Sequence, residues 1–154
     1  MKLTYCDEWS MVRKKPWNII DSTQAQQNHI NKIPYTVLIQ ENDQIENIIE
    51  VTNSNISVNF MNESRSSYLC YVFDVKCDDS IFLSMAYHYN YDESGNDIVV
   101  GTTFNFNENG YLFMEKRDYK TGAVEERDLQ SDVTPNWDKF PEFGEYEHLL
   151  RSER

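Results

Sequence analysis

"SIFLSMAYHYNYDESGND", residues 80–97, decides how the chain is read. It crowds Phe82, Tyr87, Tyr89, Tyr91 and His88 together and follows them with Asp92, Glu93 and Asp97. Ile81, Leu83, Met85, Tyr87, Tyr89 and Tyr91 fall on every second position, and Ser84, Ala86, His88 and Asn90 fall between them. A period of two over so long a run is the pattern of a half-buried strand. The reading expects the tyrosines inward on one packed face and His88 on the opposite face. The acids of "YDESGND" then form the tip of a hairpin, whose second arm is "IVVGTTFNF" with Ile98, Val100, Thr102, Phe104 and Phe106 on one face.

The same period extends in both directions. Upstream, "YTVLIQ", "IENIIEV" (Ile45, Ile49 and Val51 on one face), "ISVNF" and "SYLCYVFDVKC" (Leu69, Tyr71, Phe73, Val75 and Cys77 on one face) alternate between polar turns. Downstream, "NENG" turns the chain at Gly110, and "YLFMEKRDY" and "AVEERDL" form a more exposed hairpin. The charges of "EKRD" and "EERD" suit a sheet edge that must not pair with other sheets. Residues 1–33 show neither period, although Asp21 or Ser22 is placed to cap a short helix through "STQAQQNHINK" and Leu3–Tyr5 suits a strand. Residues 130–154 leave the sheet through turn residues and Pro135, and Trp137, Phe140 and Phe143 pack an irregular segment against it. A short helix opened by Pro141 or Glu142 and anchored by Leu149 and Leu150 follows. The expected fold is α+β and β-rich: a curved, mainly antiparallel sheet or half-barrel of about seven strands with one or two short flanking helices. A chain of 154 residues fits one domain, 1–154, with a core of its own.

The net charge is −12. Residues 1–33 carry five Lys/Arg against three Asp/Glu, and residues 34–154 carry nine against twenty-three. Such a surface repels nucleic acid and anionic membranes and attracts a basic protein. Cys6, Cys70 and Cys77 have no zinc or redox spacing and read as reduced thiols of a cytoplasmic protein. No apolar run approaches a membrane span, and the N-terminus has no signal-peptide core.

His88 is the leading catalytic candidate, because His titrates near neutral pH; Asp74 on the neighbouring strand is its nearest partner, with Tyr68, Cys70 or Thr103 able to join. The spacing is that of a surface histidine, and no enzyme is expected. His29 and His148 lie in separate segments, so no metal or cofactor is expected. "DESGND" and "NENG" lack the spacing of a calcium loop. No phosphate-binding, dinucleotide or nucleophile-elbow motif is present. What remains is a surface of Asp74, Asp78, Asp79, Asp92, Glu93 and Asp97 with Tyr87, Tyr89 and Tyr91. Tyrosines beside carboxylates suit a binding hot spot for a basic partner. The 78–79 turn and the 92–97 loop bracket the sheet rather than meet in one patch. The alternative is that the tyrosine stripe walls a small-ligand pocket of a β-rich domain.

The chain resembles the immunity proteins that bacteria encode beside polymorphic toxins of the contact-dependent inhibition and Rhs systems. The resemblance is one of type: small, acidic, motif-poor, and rich in strands and aromatics. The tail "NWDKFPEFGEYEHLLRSER" is similar to the aromatic-Pro-Gly endings of such proteins. It implies a cytosolic protein that binds and neutralises a cognate toxin domain, often a nuclease with a basic groove.

Overall fold

The computed structural model describes residues 1–154. Eleven strands form one antiparallel sheet: β1 (Lys2–Ser10), β2 (Lys15–Ile20), β3 (Tyr35–Glu41), β4 (Gln44–Val51), β5 (Asn55–Met61), β6 (Ser67–Val75), β7 (Ser80–Tyr91), β8 (Ile98–Phe106), β9 (Tyr111–Asp118), β10 (Val124–Gln130) and β11 (Trp137–Lys139). From β3 to β10 each strand pairs with the next, so the order is a simple meander. β1 pairs with β3 and carries β2 at one edge, while β10 is the other edge. β11 pairs with Ser80–Phe82 of β7, and β8 takes up that flank from Met85 onward.

The expectation of about seven strands is too low. β1 and β2 lie in the segment without a clear period, because their hairpin twists: Asn18 has φ 47° opposite Asp7, and β1 buries Cys6 and Trp9, three residues apart, in the same cluster. β11 is three residues long, below what alternation can reveal. The one α-helix, α1 (Ser22–Ile30), begins where expected, with Asp21 Oδ1 accepting from the Gln24 N–H at 2.8 Å. The expected C-terminal helix is only a 3-10 turn over Glu147–Leu150.

Cross-strand rows show which residues share a face. On the inner face run Tyr5–Val37–Ile49–Val58–Tyr71–Ala86–Phe104–Met114–Arg127 and Leu3–Ile39–Asn47–Phe60–Leu69–His88–Thr102–Lys116–Glu125. Over the β3–β7 part of this face lie Ala25 of α1 and Tyr146 and Leu149 of the tail. Together with Val37, Ile49, Ile56, Val58, Phe73 and Ile81 they form the main core. On the outer face, the end of the β1–β2 hairpin curls back. Trp9 packs with Leu38, Ile45, Ile48 and Met61. Lys14 Nζ donates to Ser64 O at 2.7 Å, Ser66 Oγ at 3.0 Å and Asn96 Oδ1 at 2.8 Å.

Bulges overturn three expectations about faces, the smallest being that of Ile98, which pairs with Tyr91 while Val100 pairs with Asn90, so that Ile98 leaves the Val100–Phe106 face. Ile39 pairs with Asn47 but Gln40 pairs with Ile45, leaving Glu46 unpaired. Ile45 is thereby turned to the outer cluster, away from Ile49 and Val51. In β7, Val72 pairs with Met85 but Phe73 pairs with Leu83, leaving Ser84 as the extra residue. Ile81 and Leu83 face the core, but beyond Ser84 it is Ala86 and His88 that continue the inner rows. Tyr87 and Tyr89 point outward. One inserted residue inverts every side chain after it.

Candidate functional site

The β7 bulge sets up two different surfaces. On the outer face, Tyr87 and Tyr89 stand two residues apart on β7 and their rings stack at 6.4 Å with 9° between planes. Next to Tyr89 in the sheet is Gly101, and a Cβ placed there would lie 3.2 Å from Tyr119 Cε2 and 3.5 Å from Tyr89 Cδ1. The missing side chain lets the Tyr119 ring lie against the β8 backbone beside Tyr89. The row Tyr87–Thr103–Glu115–Glu126 and the row Met85–Asn105–Phe113–Asp128 carry the surface to the sheet edge. The cation among these acids is Arg117, 3.5 Å from Glu115, while Lys116 and Arg127 sit on the inner face. Alternation in "EKRD" and "EERD" places Glu115, Arg117, Glu126 and Asp128 outward and Lys116, Asp118, Glu125 and Arg127 inward, so the outer face is the more acidic of the two. β8 and β9 make their main packing contacts with neighbouring strands alone, and β10 is exposed along its whole length. Tyr111 Oη donates to Asp128 at the border of this face.

The inner face holds a cleft of about 570 Å³ where the covering tail stops. Tyr71, Leu83, Ala86, Phe104 and Phe106 form its floor, and Phe104 and Phe106 stack at 6.4 Å. Its walls are the 131–136 segment and residues 152–154. His88 lines this cleft. Asp74 is on the outer face at the other end of β6, opposite Phe82, so the two share no proton.

The sequence-derived acids fall in two places. Asp78 and Asp79 form an exposed 3-10 turn with φ 68° and 53°, and Asp74 nearby lies 3.9 Å from Lys76 Nζ. Asp92, Glu93 and Asp97 are in the β7–β8 turn at the opposite end, about 40 Å away along the twelve residues of β7. Asp92 Oδ1 accepts from Ser94 Oγ at 2.6 Å, and this bond holds its carboxyl below the usual carboxylate range; the residue shapes the turn. Tyr91 Oη donates to Ser67 O at 2.6 Å and is committed to the start of β6. Of the nine candidates, Tyr87 and Tyr89 are joined to a larger surface. Its further members, Tyr119, Glu115, Glu126 and Asp128, stand in the stretch read as a solvated edge. Their common parity was the available signal.

The remaining titratable groups serve the core. His29 Nδ1 lies 2.8 Å from Tyr35 Oη, which lies 3.1 Å from Tyr146 Oη. Burial lowers the His29 pKa. Burial also raises the Cys6 thiol to about 11 and the Cys70 thiol to about 12, so both are inert as nucleophiles at neutral pH. No group of three or more His, Cys, Asp or Glu side chains is placed to hold a metal ion. No helix is long and apolar enough to cross a membrane. In comparison with known proteins, no family model, no curated protein and no solved structure matches the chain.

Proposed function

We propose that the protein binds and neutralises a basic protein domain, the cognate toxin implied by its resemblance to immunity proteins, through the outer face of β7–β10. The observation that carries this reading is the stacked Tyr87–Tyr89 pair, with Tyr119 beside it, on an open face bordered by Glu115, Glu126 and Asp128. Tyrosines supply large rigid contacts that lose little entropy on binding, and the carboxylates draw a cationic surface into register. A nuclease groove lined with Lys and Arg to hold phosphates is such a surface. The strand ladder holds the face in place before binding, so little ordering remains to oppose association.

The test is capture from an extract of the native host with tagged wild-type protein and with Glu115→Lys/Glu126→Lys/Asp128→Lys. The wild type is expected to retain one stoichiometric basic protein, which an activity assay then shows to be inhibited. The reversed variant is expected to lose it while keeping its melting temperature. Equal capture by both proteins overturns the assignment of the face, and a captured protein whose activity is unaffected overturns the function.

A further inference from the structure

The inner cleft is a second site, on the opposite side of the sheet and independent of the toxin reading. Its walls are fixed by hydrogen bonds made within the chain. Tyr71 Oη donates to Ser152 O at 2.7 Å, and Asn136 Nδ2 donates to Leu83 O at 2.9 Å. Arg154, with a side chain only 3% exposed, donates to Asp138 Oδ2 at 3.1 Å and His148 O at 2.8 Å and lies over the Phe73 ring. The cleft is therefore preformed, and its volume of about 570 Å³ is in the range of small-molecule sites.

Its floor and its rim differ in chemistry. The floor is apolar and aromatic, with the Phe104–Phe106 stack as its flattest part. Two carboxylates stand in the lining, Asp132 and Glu153. Asp132 Oδ1 accepts from the Thr134 N–H at 3.0 Å, and neither acid has a Lys or Arg within salt-bridge distance. The one Lys or Arg in the lining, Arg154, is paired with Asp138 through Nη1, and its buried Nε has no partner. We propose that this cleft binds a small organic cation, an amidinium or ammonium carried on an aromatic or branched apolar body. The body lies on Phe104 and Phe106, and the charge meets Asp132 and Glu153. Desolvated aromatic faces favour the same cation a second time, through the ring quadrupole.

Benzamidine is the probe, with benzoate and benzyl alcohol as controls of equal ring size. Each is titrated into the isotope-labelled full chain while the backbone amides are followed by NMR. Benzamidine is expected to shift the amides of Ala86, His88, Thr102 and Asp132 saturably, with a dissociation constant on the order of 1 mM, as suits so small a ligand. Asp132→Asn with Glu153→Gln, both on exposed side chains, is expected to weaken it about tenfold and to leave the melting temperature in place. The outer-face triple reversal is expected to leave the titration unchanged, which separates this site from the toxin surface. Equal shifts from benzoate or benzyl alcohol, no shift at these amides with 10-fold more benzamidine than about 1 mM, or undiminished binding by the double variant would each overturn the proposal.

Discussion

Strands β3–β6 and strands β8–β10 belong to one ladder, yet they are built differently. In β3 the first five residues, Tyr35–Ile39, are all buried. In β10 every residue is exposed. The first group is covered twice, by α1 and the tail on the inner face and by the curled β1–β2 hairpin on the outer face. In the second group the inner face of β8 is flanked only by the 131–136 segment and residues 152–154, and β10 has no layer over it. A strand covered on both faces needs apolar residues at both parities, as in "YTVLI". A bare strand needs alternate charge to stay soluble, as in "VEERDLQ". The sheet is thus a packed body from which a more exposed arm extends, and both candidate surfaces lie where the body ends and the arm begins.

The sharpest way to break this division is at the bulge. Inserting one serine beside it, between Ala86 and Tyr87, shifts the alternation of β7 by one residue and turns Tyr87 and Tyr89 onto the inner face, with His88 outward. The expected loss is about 4 kcal/mol or more, read as loss of a cooperative denaturant transition. A variant that unfolds like the wild type would show that the tyrosines have no preferred side.

The next comparison pairs one phenylalanine from each region. Phe73→Ala, in the body at 0% exposure, is expected to cost about 3–5 kcal/mol. Phe104→Ala, half-buried at the base of the arm, is expected to cost about 1 kcal/mol. Urea titrations of both variants decide it, and equal losses would mean that the arm is packed as tightly as the body.

A smaller effect concerns how the tail is held over the body. Asp138 is 14% exposed and receives Arg151 and Arg154 at 2.9 and 3.1 Å. Burial opposes its charge, but the Lys139 N–H and Arg154 together hold its pKa below the ordinary value. A carboxylate with a lowered folded pKa contributes fully above its unfolded value, about 3.9, and loses that contribution as pH falls through the folded value. Asp138→Asn is therefore expected to cost about 1.5–3 kcal/mol at neutral pH, and the gap to wild type should close below about pH 3.9. Thermal melts across that range measure it, and a gap independent of pH would remove Asp138 as the tail's anchor.

Much of this was legible in the sequence, for a physical reason. The meander from Tyr35 to Gln130 follows from period-two runs separated by turn residues, because each strand buries one face before its partners are known. The α1 cap was equally local. What sequence could not supply was register. Neither "IENIIEV" nor "IFLSMAYHYNY" contains the glycine or proline that would announce a bulge, and the extra residues Glu46 and Ser84 are set by pairing with Ile39–Gln40 and Val72–Phe73. With the register misread after Ser84, His88 and the tyrosines exchanged faces. The acids of Asp92 and Asp78 drew attention by density alone, whereas Glu115, Glu126 and Asp128 gain their meaning from the strands that align them. The cleft acids Asp132 and Glu153 lie far apart in the chain and line one cleft only through the fold of the tail, which no local pattern encodes.

The most direct test of the central claim is the association rate of the captured basic partner, measured by stopped flow for wild type and for Glu115→Lys/Glu126→Lys/Asp128→Lys over a range of salt. Wild type is expected to associate at least about tenfold faster at low salt and to slow steeply as salt rises, while the variant shows a low rate and a shallow slope. Identical rates and slopes for the two proteins would contradict the claim that this face receives the partner.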